Sequence, residues 1–86
     1  MSYQVFIKPA AQRQLKKLTL NIQKDLIALI ESLSEEPRPS GCKKLKQRQN
    51  QYRMRLGDYR IIYSIEDVTV IVRVIKVGHR RNVYEE

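Results

Sequence analysis

Residues 52 to 65 alternate between apolar and polar with a period of two, interrupted once by Gly57-Asp58. Tyr52, Met54, Leu56, Tyr59, Ile61, Tyr63 and Ile65 fall on one side, which predicts two half-buried strands with that side toward a core. Glycine at the first central position suits a two-residue type II′ turn, pairing Leu56 with Tyr59, Arg55 with Arg60 and Arg53 with Ile62. The three arginines then share the opposite face, with Arg55 and Arg60 directly across from each other. Like charges so placed cost roughly 0.2 to 1 kcal/mol. A small chain that keeps them has a use for concentrated positive charge, and a phosphate fits the guanidinium fork.

The remaining pattern completes a two-layer fold. Residues 3 to 7 read as a short strand, and Pro9 suits the first turn of a helix running to about Leu18 with Ala11, Leu15 and Leu18 on one side. Thr19 or Asn21 can cap a second helix, in which Ile22, Leu26, Leu29, Ile30 and Leu33 recur at amphipathic spacing to about Glu35. Lys16, Lys17 and Lys24 lie off the apolar stripes and read as solvated charge. Pro37, Pro39 and Gly41 end the helix and open a polar loop containing Arg38, Lys43, Lys44, Lys46 and Arg48, with one turn of structure around Leu45. Strands of about 51 to 56, 59 to 65 and 69 to 77 follow. A turn at Glu66-Asp67 puts Val70, Val72 and Val74 on the buried face and Arg73 opposite Arg60. The expected fold is α+β: a β-α-α-β-β-β order in which two N-terminal helices pack on an antiparallel sheet, in a single domain spanning residues 1–86.

Charge sharpens the picture. The chain has 86 residues, 42% of them hydrophobic, and a net charge of +8, concentrated between residues 37 and 84, where twelve lysines and arginines face only Asp58, Glu66 and Asp67. Such a patch attracts nucleic acid with strong salt dependence. The apolar faces are all needed for the core, so a membrane is not an expected partner, and no stretch reads as a span or signal peptide. One cysteine, Cys42, gives no disulfide framework, which fits a reducing cytoplasm; it reads as a loop thiol. One histidine and one cysteine do not make a metal site, so neither metal nor other cofactor is expected. A metal-free reaction on RNA remains open, because the 2′-OH is a built-in nucleophile. The protein need only orient it, move its proton, stabilise the phosphorane charge and protonate the leaving oxygen.

The segment YRMRLGDYRIIY, followed by an apolar strand ending IKVGHRRNVY, resembles the RelE/ParE superfamily of toxin–antitoxin toxins, specifically its RelE-type mRNA endoribonucleases. The resemblance covers essentially the whole chain. It implies cleavage of mRNA in the ribosomal A site and neutralisation by a cognate RelB-like antitoxin, with operator DNA met only through the antitoxin complex. Carried over residue by residue, Arg60 matches the strand arginine that binds the reacting phosphate, Arg80 the arginine after the last strand, and Tyr84 the tyrosine of proton transfer or 2′-OH orientation. Arg53 and Arg55 stand where such toxins often have lysine; an arginine stabilises charge well but donates a proton poorly. His79 stands at a position often basic in the family. Lys43, Lys44, Lys46, Arg48, His79 and Arg81 are the expected RNA-binding set. Two other readings stay open: a ParE-like toxin that inhibits gyrase without catalysis, and a plain RNA-binding module.

Overall fold

A computed structural model of the protein describes residues 2–46 and 48–79. The elements are β1 (Gln4–Ile7), α1 (Pro9–Lys16), α2 (Leu20–Ser32), β2 (Lys43–Lys44), β3 (Gln51–Leu56), β4 (Tyr59–Glu66) and β5 (Ile71–His79). Local chemistry explains the helix boundaries. Pro9 occupies the start of α1, where its missing N–H costs nothing, and Gln12 returns a side-chain bond of 2.8 Å to the Ile7 carbonyl. Thr19 is the N-cap of α2 but makes no side-chain cap bond. Past Ser32 the helix tightens into i→i+3 bonds, Leu33 N to Ile30 O and Ser34 N to Glu31 O, before Pro37 ends it.

The strands form one five-stranded sheet in the order β1-β5-β4-β3-β2. The β3–β4 hairpin has the register expected from its turn, Leu56 with Tyr59, Arg55 with Arg60 and Arg53 with Ile62. Gly57 has φ +59, and Asp58 is not among the positive-φ residues, the combination a type II′ turn demands and a type I′ turn excludes.

Three expectations are corrected. The sheet is mixed: β1 runs parallel to β5, pairing Gln4 with Ile71 and Ile7 with Val74. The polar loop contributes a two-residue edge strand, with Lys43 opposite Arg53 and Lys44 opposite Tyr52; short, lysine-bearing edges resist pairing with other chains. The second turn is longer than two residues. Glu66 pairs with Ile71 and Ser64 with Arg73, so Arg73 lies opposite Ser64 and Arg60 lies opposite Gly78. Val70, expected on the buried face within the strand, instead closes the turn at φ +60 and is only partly buried. Val72 and Val74 keep their buried places, because an even shift in register preserves faces.

The core lies between the helices and one sheet face: Ala11, Leu15, Leu26, Ile30 and Leu33 against Tyr52, Met54, Ile61, Tyr63, Ile65, Val72, Val74 and Val77. Each fully buried aliphatic residue stabilises by about 1.5–3 kcal/mol. Tyr63, wholly buried, donates to the Pro37 carbonyl at 2.8 Å and stacks on Tyr52 with centroids 6.0 Å apart. Cys42 is half-buried against this core. Where β1 has ended, the Val77 N–H would be an orphan edge donor; Gln14 Oε1 of α1 accepts it at 2.8 Å. No helix among the described residues is long and apolar enough to cross a membrane.

Candidate functional site

Among the described residues, α1 and α2 cover one face of the sheet, and the opposite face carries no helix. Alternation along β3 and β4 sends Arg53, Arg55, Arg60 and Ile62 to that open face. The register sets them in rows: Lys43, Arg53 and Ile62 across three strands, then Arg55, Arg60 and Gly78. A turn of two residues makes the Leu56–Tyr59 pair the hydrogen-bonded one and Arg55–Arg60 the closer, non-hydrogen-bonded one.

The arginines differ in burial. Arg53 is 7% exposed, Arg60 is half-buried and Arg55 is exposed. The Nε atoms of Arg53 and Arg60 are shielded from solvent. Leu45 and Ile62 form a small apolar cluster, which the sequence reading had not anticipated on this face. A guanidinium held against apolar surroundings exerts a stronger field than one in water. The site thus combines a fixed charge at Arg53 with a more open pair at Arg55 and Arg60.

Arg73 does not join this cluster. It forms an ion pair with Glu66, and its row is four residues along β4 from Arg60, about 13 Å at the rise of a strand. Arg38 is likewise engaged elsewhere. Its guanidinium makes two bonds to Asp67, at 3.2 and 2.8 Å, donates to Tyr52 Oη at 3.2 Å and lies 5.1 Å from the centre of that ring. Tyr3 Oη donates to the same Asp67 carboxylate at 2.8 Å. The hydrogen bonds from Arg38 and then Tyr3 hold Asp67 below the usual carboxylate range, while Asp67 raises both Arg38 and Tyr3. This latch joins the segment before β1, the loop after α2 and the β4–β5 turn.

The loop cations gather at the far edge. Lys44, Lys46 and Arg48 line an open cavity of about 390 Å³ with Leu45, Gln49 and Asn50. His79 lies elsewhere. It pairs with Tyr59 on the helix-bearing face and meets that ring edge-on, with centroids 5.6 Å apart at 81°. Both line a cleft of about 250 Å³ with Gln14, Lys17, Leu18, Val77 and Gly78. Lys17, read from sequence as solvated charge, therefore borders a cavity. The signal was there in part, since Gln14 and Lys17 are three apart on one helix face. Arg80, Arg81 and Tyr84 lie outside the described residues.

Comparison with known proteins agrees with this architecture. A family model described as the ParE toxin of the type II toxin–antitoxin system, parDE, matches residues 5–84. Toxin RelG of Mycobacterium tuberculosis is 33% identical over 88 residues, covering 98% of each chain. A chain of the archaeal RelE–RelB complex from Pyrococcus horikoshii OT3 superimposes with a TM-score of 0.83 at 28% identity, covering 96% of this chain and 100% of that one. A chain of the toxin–antitoxin complex RelBE2 from Mycobacterium tuberculosis gives 0.81 at 31% identity, covering 93% and 100%. A chain of the intact Escherichia coli RelBE complex gives 0.80 at 28% identity, covering 91% and 96%.

Proposed function

The chain belongs to the RelE/ParE superfamily of type II toxin–antitoxin toxins, and we propose that within it this protein is a metal-free endoribonuclease that cleaves mRNA on the ribosome in the cytoplasm. The observation that carries this reading is the facing Arg55–Arg60 pair beside buried Arg53, on the sheet face that neither α1 nor α2 covers. That arrangement supports binding of a phosphodiester above this face of the sheet. The 2′-hydroxyl gives up its proton as its oxygen attacks the adjacent phosphorus, a new P–O bond forms, the bond to the 5′-oxygen breaks and that oxygen takes up a proton, leaving a 2′,3′-cyclic phosphate and a 5′-hydroxyl. Arg55 and Arg60 neutralise the charge that grows on the equatorial oxygens, and Arg53 supplies a fixed field behind them.

Arginine holds its proton too firmly to transfer it. The family resemblance gives the proton transfer or 2′-OH orientation to Tyr84 and a further phosphate contact to Arg80. Lys43, Lys44, Lys46, Arg48, His79 and Arg81 supply contacts to flanking RNA or ribosome, and a RelB-like antitoxin neutralises the protein. The test is cleavage of mRNA on programmed ribosomes with mapped 5′ ends. Removing one such charge-stabilising group costs about 10²- to 10³-fold in rate, so Arg60→Ala should lose that much, and Arg80→Ala and Tyr84→Phe should also relieve growth inhibition. Full activity in all three variants would remove this site from the reaction.

The ParE description of the matching family model favours a second reading, inhibition of gyrase without catalysis. Pulse labelling after induction separates them: translation halts first for a ribonuclease, DNA synthesis first for a gyrase inhibitor.

A further inference from the structure

The cleft at the end of β5 borders the arginine face without belonging to it. Gly78 lies opposite Arg60 on the open face, and the next residue, His79, lies opposite Tyr59 on the helix-bearing face. These two pairs are the last rungs of the β4–β5 ladder, so the arginine face and the cleft lie at the same end of the sheet, on its two sides.

The groups lining the cleft suit a nucleotide. Lys17 at the end of α1 provides a cation, while the edge-to-face Tyr59–His79 pair provides aromatic surface 5.6 Å between centroids. Gln14 uses its Oε1 for the Val77 N–H, and an amide nitrogen keeps two donors for a base or phosphate oxygen. At about 250 Å³ the cleft is smaller than the 300 Å³ or more of a drug-sized pocket and suits one base rather than two. Aromatic surface beside a cation is how proteins hold unpaired bases.

We infer that this cleft is a subsite for the RNA nucleotide flanking the reacting linkage, with its base against Tyr59 and His79 and its phosphate on Lys17. The inference rests on the RNA-cleaving reading of the arginine face and extends that site around the strand end.

The experiment is fluorescence anisotropy with a uniformly 2′-O-methylated RNA hexamer, which offers no 2′-OH to attack, over a range of salt concentrations. Lys17→Gln and His79→Ala should each weaken binding by about three- to tenfold. Lys17→Gln should also lower the salt slope by about 0.7, the value of one single-strand phosphate contact. Lys24→Gln removes the same charge from the exposed face of α2 and should change neither affinity nor slope; equal loss in Lys17→Gln and Lys24→Gln would overturn the subsite. Should His79→Ala fail to fold, His79→Leu keeps apolar packing on Tyr59 without an aromatic face and should still weaken binding. Unchanged binding in Lys17→Gln, with clear loss in Arg60→Ala, overturns the subsite and leaves the parent reading standing. No binding of the free hexamer by the wild type overturns the subsite, and cleavage on programmed ribosomes then decides the parent reading; no loss in Arg60→Ala overturns both.

Discussion

Replacing Arg55 with glutamine should make the protein more stable and less active. Arg55 and Arg60 are directly opposed in the β3–β4 register, at a non-hydrogen-bonded position where Cα atoms are about 4.5 Å apart. Like charges there cost roughly 0.2–1 kcal/mol, and the half-buried state of Arg60 lowers the local dielectric and favours the upper part of that range. Unfolding entropy of about 2.1 cal/mol/K per residue gives about 180 cal/mol/K for 86 residues. Relief of the pair therefore raises Tm by about 1–6 °C. Glutamine keeps most of the side-chain stem and adds no β-branch, so the change reports charge. The assay is thermal unfolding followed by circular dichroism at 10 mM and at 1 M salt, with Lys24→Gln as a control for the loss of one net charge. Screening shortens from about 30 Å to about 3 Å between these conditions, so the gain over the control should be largest at 10 mM and largely gone at 1 M. A gain no larger than the control's, or one equal at both salts, would show that the hairpin does not force these two charges together.

Three further outcomes follow from particular contacts. A Cβ at Gly57 meets nothing within 4 Å, so Gly57→Ala should cost only backbone strain at φ +59, about 1–3 kcal/mol in urea unfolding; an alanine variant as stable as wild type would refute the turn assignment. Asp67 is held below the ordinary carboxylate range, so its contribution is complete above about pH 4 and is lost as pH falls through its lowered value. The stability gap between wild type and Asp67→Asn should then be constant from pH 5 to 8 and close in acid; a gap that widens there would break the latch argument. Burial raises Tyr63 above its ordinary value near 10, so its contribution is complete below that pH and declines as pH rises further. Tyr63→Phe should lose about 1 kcal/mol at pH 8 with the Pro37 bond and show a shallower alkaline decline in urea melts; equal slopes would contradict the assignment.

The two β-turns show what a sequence can and cannot say about such a site. At Gly57-Asp58 the turn chemistry and the alternation agree, and the register of all three arginines follows. Beyond Glu66 no glycine or asparagine marks the turn, and the chain closes it with Val70 at φ +60, a β-branched residue in a region such residues rarely adopt. The resulting four-residue shift keeps Val72 and Val74 in the core yet moves Arg73 from Arg60 to Ser64. A period of two encodes the face; it does not encode position along the strand. Long-range pairing was hidden for a related reason. Nothing local in Gln4–Ile7 says that its partner is β5, and nothing local in Arg38 says that Asp67, twenty-nine residues on, holds it.

The repulsion built into the hairpin is also a reserve of affinity. Each of the two opposed charges raises the cost of holding the other, so an anion seated between Arg55 and Arg60 offsets their mutual repulsion, and by linkage that energy appears as tighter binding. At 0.2–1 kcal/mol this amounts to at most about fivefold in Kd, modest beside the direct attraction of guanidinium for phosphate. The reserve exists only while both arginines face each other, so the stability gained by Arg55→Gln is the part of the anion's affinity that the same substitution removes.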